Sequence, residues 1–327
     1  MVTHRRSWLT SIAIVLSIAL SVPAGAAETV KMGDLPAMSS AGLYIAIEKG
    51  FFQEKNIVVD TEKFASGGKM MAPLATGQID VATGSPSAGL YNSIASGLDF
   101  KIVADKGQVR PGYSFNSIAV RKDLVDSGRV KAIKDLKGMK IATGAKGIIL
   151  DYFTAKMLEH DGLTYDQVEM VYLSYPDAVK ALSTKAVDAL ISPEPWGVRA
   201  EQQKVGTRIF LTEQVPSIAT FQVAVIMYSG KFIKERPKVA RDFLQAYAKG
   251  VRYYNERGSK NPEVAAIIAK HTQVPAETVI AANPFYIENN IKPRVQDLAT
   301  LQDFFVKMGW VKQPVPIERV VDLSFLE

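Results

Sequence analysis

In this chain of 327 residues, the side chains best placed for chemistry are hydroxyls, glycines and two lysines set just ahead of helical patterns. Four short segments share this character: 34–40, 65–69, 83–87 and 144–148. Each follows a short apolar stretch and leads into an amphipathic one. Free backbone N–H groups at a helix start carry partial positive charge and bind anionic groups without arginine. Leu35, Ser39, Ser40, Gly68, Lys69, Ser85, Ser87, Lys146, Gly147 and Ile148 are therefore the first candidate ligand contacts. Taken singly, each segment reads as an ordinary capped helix start; four at one edge read as a binding site. Lys69 and Lys146 are either charge-assisted donors to an anion or solvated surface lysines.

The densest local constellation is Ser192-Pro193-Glu194-Pro195-Trp196. Two prolines stiffen it, Glu194 is an acceptor, and Trp196 offers an apolar face that either stacks on a ligand or plugs a core. Tyr175 and Phe221 are further aromatic candidates beside predicted loops.

Other chemistries find little support. The chain has no cysteine, which removes disulfides, thiol nucleophiles, thiolate metal sites and iron–sulfur clusters. Of three histidines, His4 lies near the start, and His160 and His271 have no partner at metal-ligand spacing. No G-x-S-x-G, G-x-x-x-x-G-K-[ST] or G-x-G-x-x-G occurs, so neither a nucleophile elbow nor a nucleotide or cofactor loop is legible. The formal charge of +6 is dispersed and never forms a run of five basic residues, which argues against nucleic acid.

The elements that must position these residues begin after a leader pattern. Arg5 and Arg6 precede an apolar run from Trp8 to Val22 and the small residues Ala24 to Ala27. That order predicts a cleaved signal peptide over 1–27 and a soluble, periplasmic mature chain. No Cys follows the run, so lipid attachment there is excluded. Short apolar strands then alternate with amphipathic helices, predicting an α/β fold of mostly parallel sheets flanked by helices. Strands are expected at 29–33, 57–62, 79–82 and 101–104, then in a second unit at 117–121, 140–143, 170–173 and 187–191. The stretch 221–228 is β-prone, and the remainder is helical. Leu74 to Val81 and Leu182 to Ala189 share one pattern, helix end, turn and strand, and each leads to a Ser-Pro loop. Two lobes of similar plan would face each other across a cleft at their strand carboxyl ends.

Five segments carry a further likeness: Gly42 to Phe52, Leu74 to Asp80, Asp135 to Ala142, Asp177 to Leu182, and Glu194 to Trp196. Through them the chain resembles the substrate-binding proteins of ABC importers in the nitrate/sulfonate/taurine and thiamine-pyrimidine family. The resemblance implies a type II, two-lobed periplasmic-binding-protein fold with two hinge crossings, near 112–116 and 217–221. Lobe one would comprise 28–115 and 222–327, and lobe two 116–221. It also implies no catalysis, no cofactor, and a monomer whose closed form docks on a membrane permease. Lys185 replaces the Gly usual at its turn, and Lys146-Gly147-Ile148-Ile149 is apolar for its loop. The apolar loop points to a ligand with an apolar body, and with the helix-start amides above the expected ligand is a small organic anion, a sulfonate or carboxylate. A pyrimidine-like ligand, a sensor feeding a chemoreceptor or kinase, and a periplasmic enzyme are the alternatives. The fungal enzyme sharing this resemblance relies on a Cys-rich motif, which is absent here.

Overall fold

Ten strands form among the described residues, which in this computed structural model are 26–64 and 67–326. Most of the expected signal segment, together with Ala65 and Ser66, lies outside them. The strands are β1 Glu28–Asp34, β2 Ile57–Lys63, β3 Val81–Gly84, β4 Phe100–Val109, β5 Asn116–Arg121, β6 Lys140–Thr143, β7 Glu169–Tyr172, β8 Ala189–Pro193, β9 Gly206–Leu211 and β10 Phe221–Ser229. They make two five-stranded sheets, ordered β2-β1-β3-β10-β4 and β7-β6-β8-β5-β9.

Both sheets are mixed, in the same way. β1 is parallel to β2 and β3, and β6 is parallel to β7 and β8. β10 runs antiparallel to β3 and β4, and β5 antiparallel to β8 and β9. Connectivity explains the reversal. β4 ends at the carboxyl edge of the first sheet, and residues 110–115 deliver the chain to the carboxyl edge of the second. A strand that starts at that edge must run backwards. Residues 212–220 return the chain from β9 to β10 by the same rule.

The repeated sequence pattern has a shared structural job. Asp80, just before β3, accepts the Lys31 amide of β1 at 2.9 Å, and Asp188, just before β8, accepts the Lys140 amide of β6 at 3.0 Å. Arg236 and Arg121 pair with the other oxygen of Asp80 and Asp188, at 2.5 and 3.0 Å. Each carboxylate thus ties the amino end of one central strand to its neighbour.

Helices cover both sheets. The helix Ala41–Glu48 packs on the long helix Pro237–Arg257, with glycine at the crossing on both sides. A Cβ on Gly250 would collide with the Gly42 carbonyl. The main apolar core runs from Val30 and Met32 in β1 through Phe243 and Tyr247 to Phe153 and Ile191 of the second unit. A smaller cluster of Ala119, Ala142, Leu182, Leu190 and Ala200 fills the other face of the second sheet. Among the described residues no helix is long and apolar enough to cross a membrane.

Several local expectations need correction. Ser40 flanks the first helix, but its hydroxyl makes no cap bond and donates to Asp34 instead, at 3.1 Å. Ser87, by contrast, does cap the helix Ala88–Ala95, accepting from the Leu90 amide at 3.2 Å. β4 runs on to Val109, well past Ala104. β9 and the helix Trp196–Gln202 carried no recognisable sequence pattern.

Candidate functional site

The carboxyl edges of the two sheets meet directly. The Ala88 amide, which follows β3, donates to the Gly147 carbonyl, which follows β6, at 2.9 Å. Ser87 and Ile148 form an antiparallel bridge at the same place. Glu194, which follows β8, lies beside the backbone of Asn283 from the C-terminal part of the chain.

On the first sheet this edge carries a buried polar cluster. Lys106 is 2% exposed, and its ammonium donates to Ser39 Oγ at 2.9 Å and Ser40 Oγ at 3.0 Å. Asp34, at the end of β1, accepts from Ser40, from Thr83 at 2.9 Å and from Tyr44 at 2.6 Å. The backbone explains how lysine enters this edge. Ala224 pairs with Gly107 and Val225 with Asp105, so Lys106 is the extra residue of a bulge in β4. Bulges re-aim side chains in this manner. Burial pushes the Lys106 ammonium down to about 8, against the opposing pull of Asp34 and Asp105. Burial likewise pushes the Asp105 carboxyl up to about 6, although it accepts from Glu288 N, Gln222 Nε2 and Gly107 N.

The second sheet presents a carboxylate held by arginine. Glu194 bonds the guanidinium of Arg208, which also holds Glu201 at 2.8 Å, and it accepts the Val198 amide at 3.2 Å. Burial raises the Glu194 carboxyl, while Arg208 pulls in the other direction. Beside it Trp196 stacks on Tyr175, with ring centroids 6.0 Å apart, and Arg199 lies over its ring at 4.7 Å.

Two buried amides border the first crossing between the sheets. Gln108 is fully buried, and neither its Nε2 nor its Oε1 has a hydrogen-bond partner among the described residues. Asn116, 1% exposed, leaves its Nδ2 unpaired in the same sense. A buried polar group without a partner costs about 1–3 kcal/mol.

The model of the NMT1-like family matches residues 24–269. The chain belongs to that family. A Brachyspira hyodysenteriae protein named as an ABC transporter periplasmic binding protein is 23% identical to this NMT1-like protein, over 94% of this chain and 91% of its own. The ligand-binding component of an ABC-type import system from Staphylococcus aureus, solved with zinc bound, superposes with a TM-score of 0.76 at 19% identity. It covers 91% of this chain and 98% of that one. The alkanesulfonate-binding protein SsuA from Xanthomonas axonopodis pv. citri, solved with MOPS, gives 0.71 at 16% identity over 90% and 98%. The desulfurization enzyme DSZB gives 0.67 at 16% identity over 91% and 97%. The fold of this NMT1-like protein is therefore the two-lobed periplasmic-binding-protein fold, and that fold also hosts an enzyme.

Of the residues singled out by sequence in this NMT1-like protein, Leu35, Ser39 and Ser40 come together around Asp34 and Lys106; the Leu35 amide donates to Thr83 Oγ1 at 3.1 Å. Ser87, Gly147 and Ile148 meet at the contact between lobes, with Ser85 half-buried close by. The amides there already have acceptors: Gly147 N and Ile148 N donate to Asp151 at 2.7 and 3.2 Å. That helix start offers those two amides to its own carboxylate rather than to an outside anion. Lys146 turns away to lie over Trp310 at 5.4 Å. Gly68 and Lys69 are exposed. Phe221 is buried against Tyr152 and Phe153, with centroids at 4.9 and 5.8 Å. Tyr175 and Trp196 pack on the smaller core cluster. Lys106, Gln108 and Asn116 had no sequence signal of their own. The available hint was the polar run Asp105 to Gln108 between apolar Val103 and Val109.

Proposed function

We propose that this protein is the solute-binding component of an ABC importer, exported by its N-terminal leader to the periplasm. In this reading it captures a small organic anion between its lobes and delivers it to a membrane permease. The observation that carries the reading is the buried Lys106 ammonium held by Ser39 and Ser40 at an edge that faces the other lobe. An ammonium buried with two neutral oxygens, and with no carboxylate of the described residues in direct contact, keeps a donor for an anionic guest, and a charge-assisted bond in such a place is strong. The Ser39 hydroxyl accepts from Lys106 and keeps its own proton to donate. This replaces helix-start amides near Gly147 as the anion's seat.

Closure of the lobes about 110–115 and 212–220 would bury the guest, as in hinge-type binding proteins. A sensor role uses the same capture step. Isothermal titration against sulfonates, carboxylates and neutral heterocycles tests the reading. An anion should bind with micromolar or better affinity and compact the protein in small-angle scattering. A best ligand that is cationic, with no anion bound, would sink the ligand class. Failure of every compound to bind or compact the protein would sink the transport reading itself.

A further inference from the structure

Gln108 and Asn116 are the least satisfied polar side chains of the fold's first crossing. They stand on either side of a tight turn in which the Tyr113 amide donates to the Arg110 carbonyl at 2.8 Å. Gln108 is the last residue but one of β4, and Asn116 opens β5 at the edge that meets it. Their backbones are well tied. The Gln108 amide donates to the Tyr286 carbonyl at 2.8 Å, and the Asn116 carbonyl accepts from Ser114 and Thr212 at 3.2 and 3.3 Å. Only the side-chain amides lack partners. Gln222, paired opposite Gln108 across β10 and β4, makes the contrast plain. Its amide bonds Asp105, Gly107, Ala224 and Arg294, so the same side chain one strand away is fully satisfied.

Buried polar groups of a stable protein find partners, and each exception calls for a cause. A glutamine amide presents an adjacent donor and acceptor, which match one compound edge of complementary type. Lys106 stands two residues before Gln108 on the same strand, at most about 7 Å away along it. Both residues are buried towards the carboxyl end of β4, so one small molecule seated at that edge can meet both.

We infer that Gln108 and Asn116 read a neutral hydrogen-bonding edge of the ligand, an adjacent donor and acceptor such as a carboxamide or lactam, while Lys106 and Ser39 hold its anionic end. This rests on the solute-capture reading above and narrows its ligand to anions bearing such an edge. A purely apolar anion leaves both amides unpaired on closure and is rejected for that reason.

The test uses the full mature chain, Gln108→Leu and two pairs of isosteric probes. One pair is succinamate and 4-methylpentanoate; the other is 4-carbamoylbenzoate and 4-isopropylbenzoate. Each pair swaps a carboxamide for a branched alkyl group of the same shape. Titration calorimetry should show the wild type preferring the carboxamide of at least one pair by about tenfold or more. Gln108→Leu should abolish or reverse that preference. It should also raise the melting temperature of the unliganded protein, because it removes a buried group that has no partner. A residue with a merely structural role, or one satisfied by a buried water, would give a lower melting temperature and an unchanged preference. That outcome overturns the inference. Equal binding of both members of each pair, or binding of neither pair while a plain alkanesulfonate binds and compacts the protein, also overturns it and leaves solute capture standing. If no anion of any kind binds, the capture reading fails first.

Discussion

Lys106 donates to Ser39 across the space between β4 and the segment that follows β1, at 2.9 Å, and this bond makes a buried ammonium part of the first lobe's carboxyl edge. Its consequences for pH follow from burial. With the ammonium pushed down to about 8, anion affinity should hold at neutral pH and fall as pH rises through that value. Lys106→Met should cost about tenfold or more in affinity at pH 7 and flatten the pH profile. Stability moves in the opposite sense. Between about 8 and the ordinary lysine value of 10.5 the unfolded chain holds more protons than the fold. This group's contribution is therefore present above 10.5 and lost as pH falls through 8. Lys106→Met lacks this rise with pH, and at pH 7 it should be less stable than the wild type by about 1–3 kcal/mol, since it leaves the buried carboxylates of Asp34 and Asp105 without the cation that attracts them. Calorimetry at pH 7, 8 and 9, with parallel urea melts, checks both signs. Affinity unchanged by the substitution would remove Lys106 from the site.

Asp80 and Asp188 should behave as one device used twice, with different weight. The Asp80 side chain is 12% exposed and that of Asp188 26%, so the first bond set is better shielded from water. Asp80→Asn is expected to cost about 2–3 kcal/mol and Asp188→Asn about 1 kcal/mol, by loss of a charge-assisted acceptor. They lie in different sheets, so the double variant should equal the sum within about 0.5 kcal/mol. Urea unfolding measures all three. A larger penalty at Asp188 would contradict this ranking by burial.

That device was legible in the sequence because it is local: a helix end, a turn and an aspartate recur in order, with Leu74 to Val81 matched by Leu182 to Ala189. Most strands and helices were legible for the same reason, through apolar spacing over a few residues. β9 was not, because Gly206 to Leu211 alternates weakly and its burial is mostly partial. The far half of β4 was not, because Asp105 to Gln108 is a polar run buried by tertiary contacts with 284–294 and β10. The candidate site was legible to the extent that it lies on loops following strands, as at Ser39 and Ser40. Lys106 and Gln108 sit within a strand, and only the bulge and the partners across the sheet reveal what they do.

Gly250 sets how closely the helix Ala41–Glu48 approaches the helix Pro237–Arg257. A methyl there meets the Gly42 carbonyl and would also lie 3.0 Å from the Ala46 amide, both backbone atoms that cannot step aside. Gly250→Ala should cost about 3 kcal/mol through forced separation of the two helices. Gly68→Ala is the control, with nothing within 4 Å of its new methyl in the helix Gly67–Ala75. It should leave stability unchanged or raise it by about 0.5–1 kcal/mol. Chemical denaturation of both variants decides, and equal effects would show that helix crossing is not the cause.

Gly147 joins the two lobes and adopts a φ of +77° that disfavours any side chain. A methyl there would lie 3.1 Å from Ala88 Cβ, across the contact in which the Ala88 amide meets the Gly147 carbonyl. Gly147→Ala therefore carries two penalties, one in its own backbone and one between lobes. Gly162, at φ +81° with no atom within 4 Å of a new methyl, carries the backbone penalty alone. Both substitutions should lower stability by about 1–3 kcal/mol. Only Gly147→Ala should enlarge the radius of gyration and weaken ligand binding, because only it pushes the strand ends of one lobe away from those of the other. Small-angle scattering of the two variants, with and without ligand, separates the effects. If Gly162→Ala opens the protein as far as Gly147→Ala does, the contact between Ala88 and Gly147 is not what holds the lobes together.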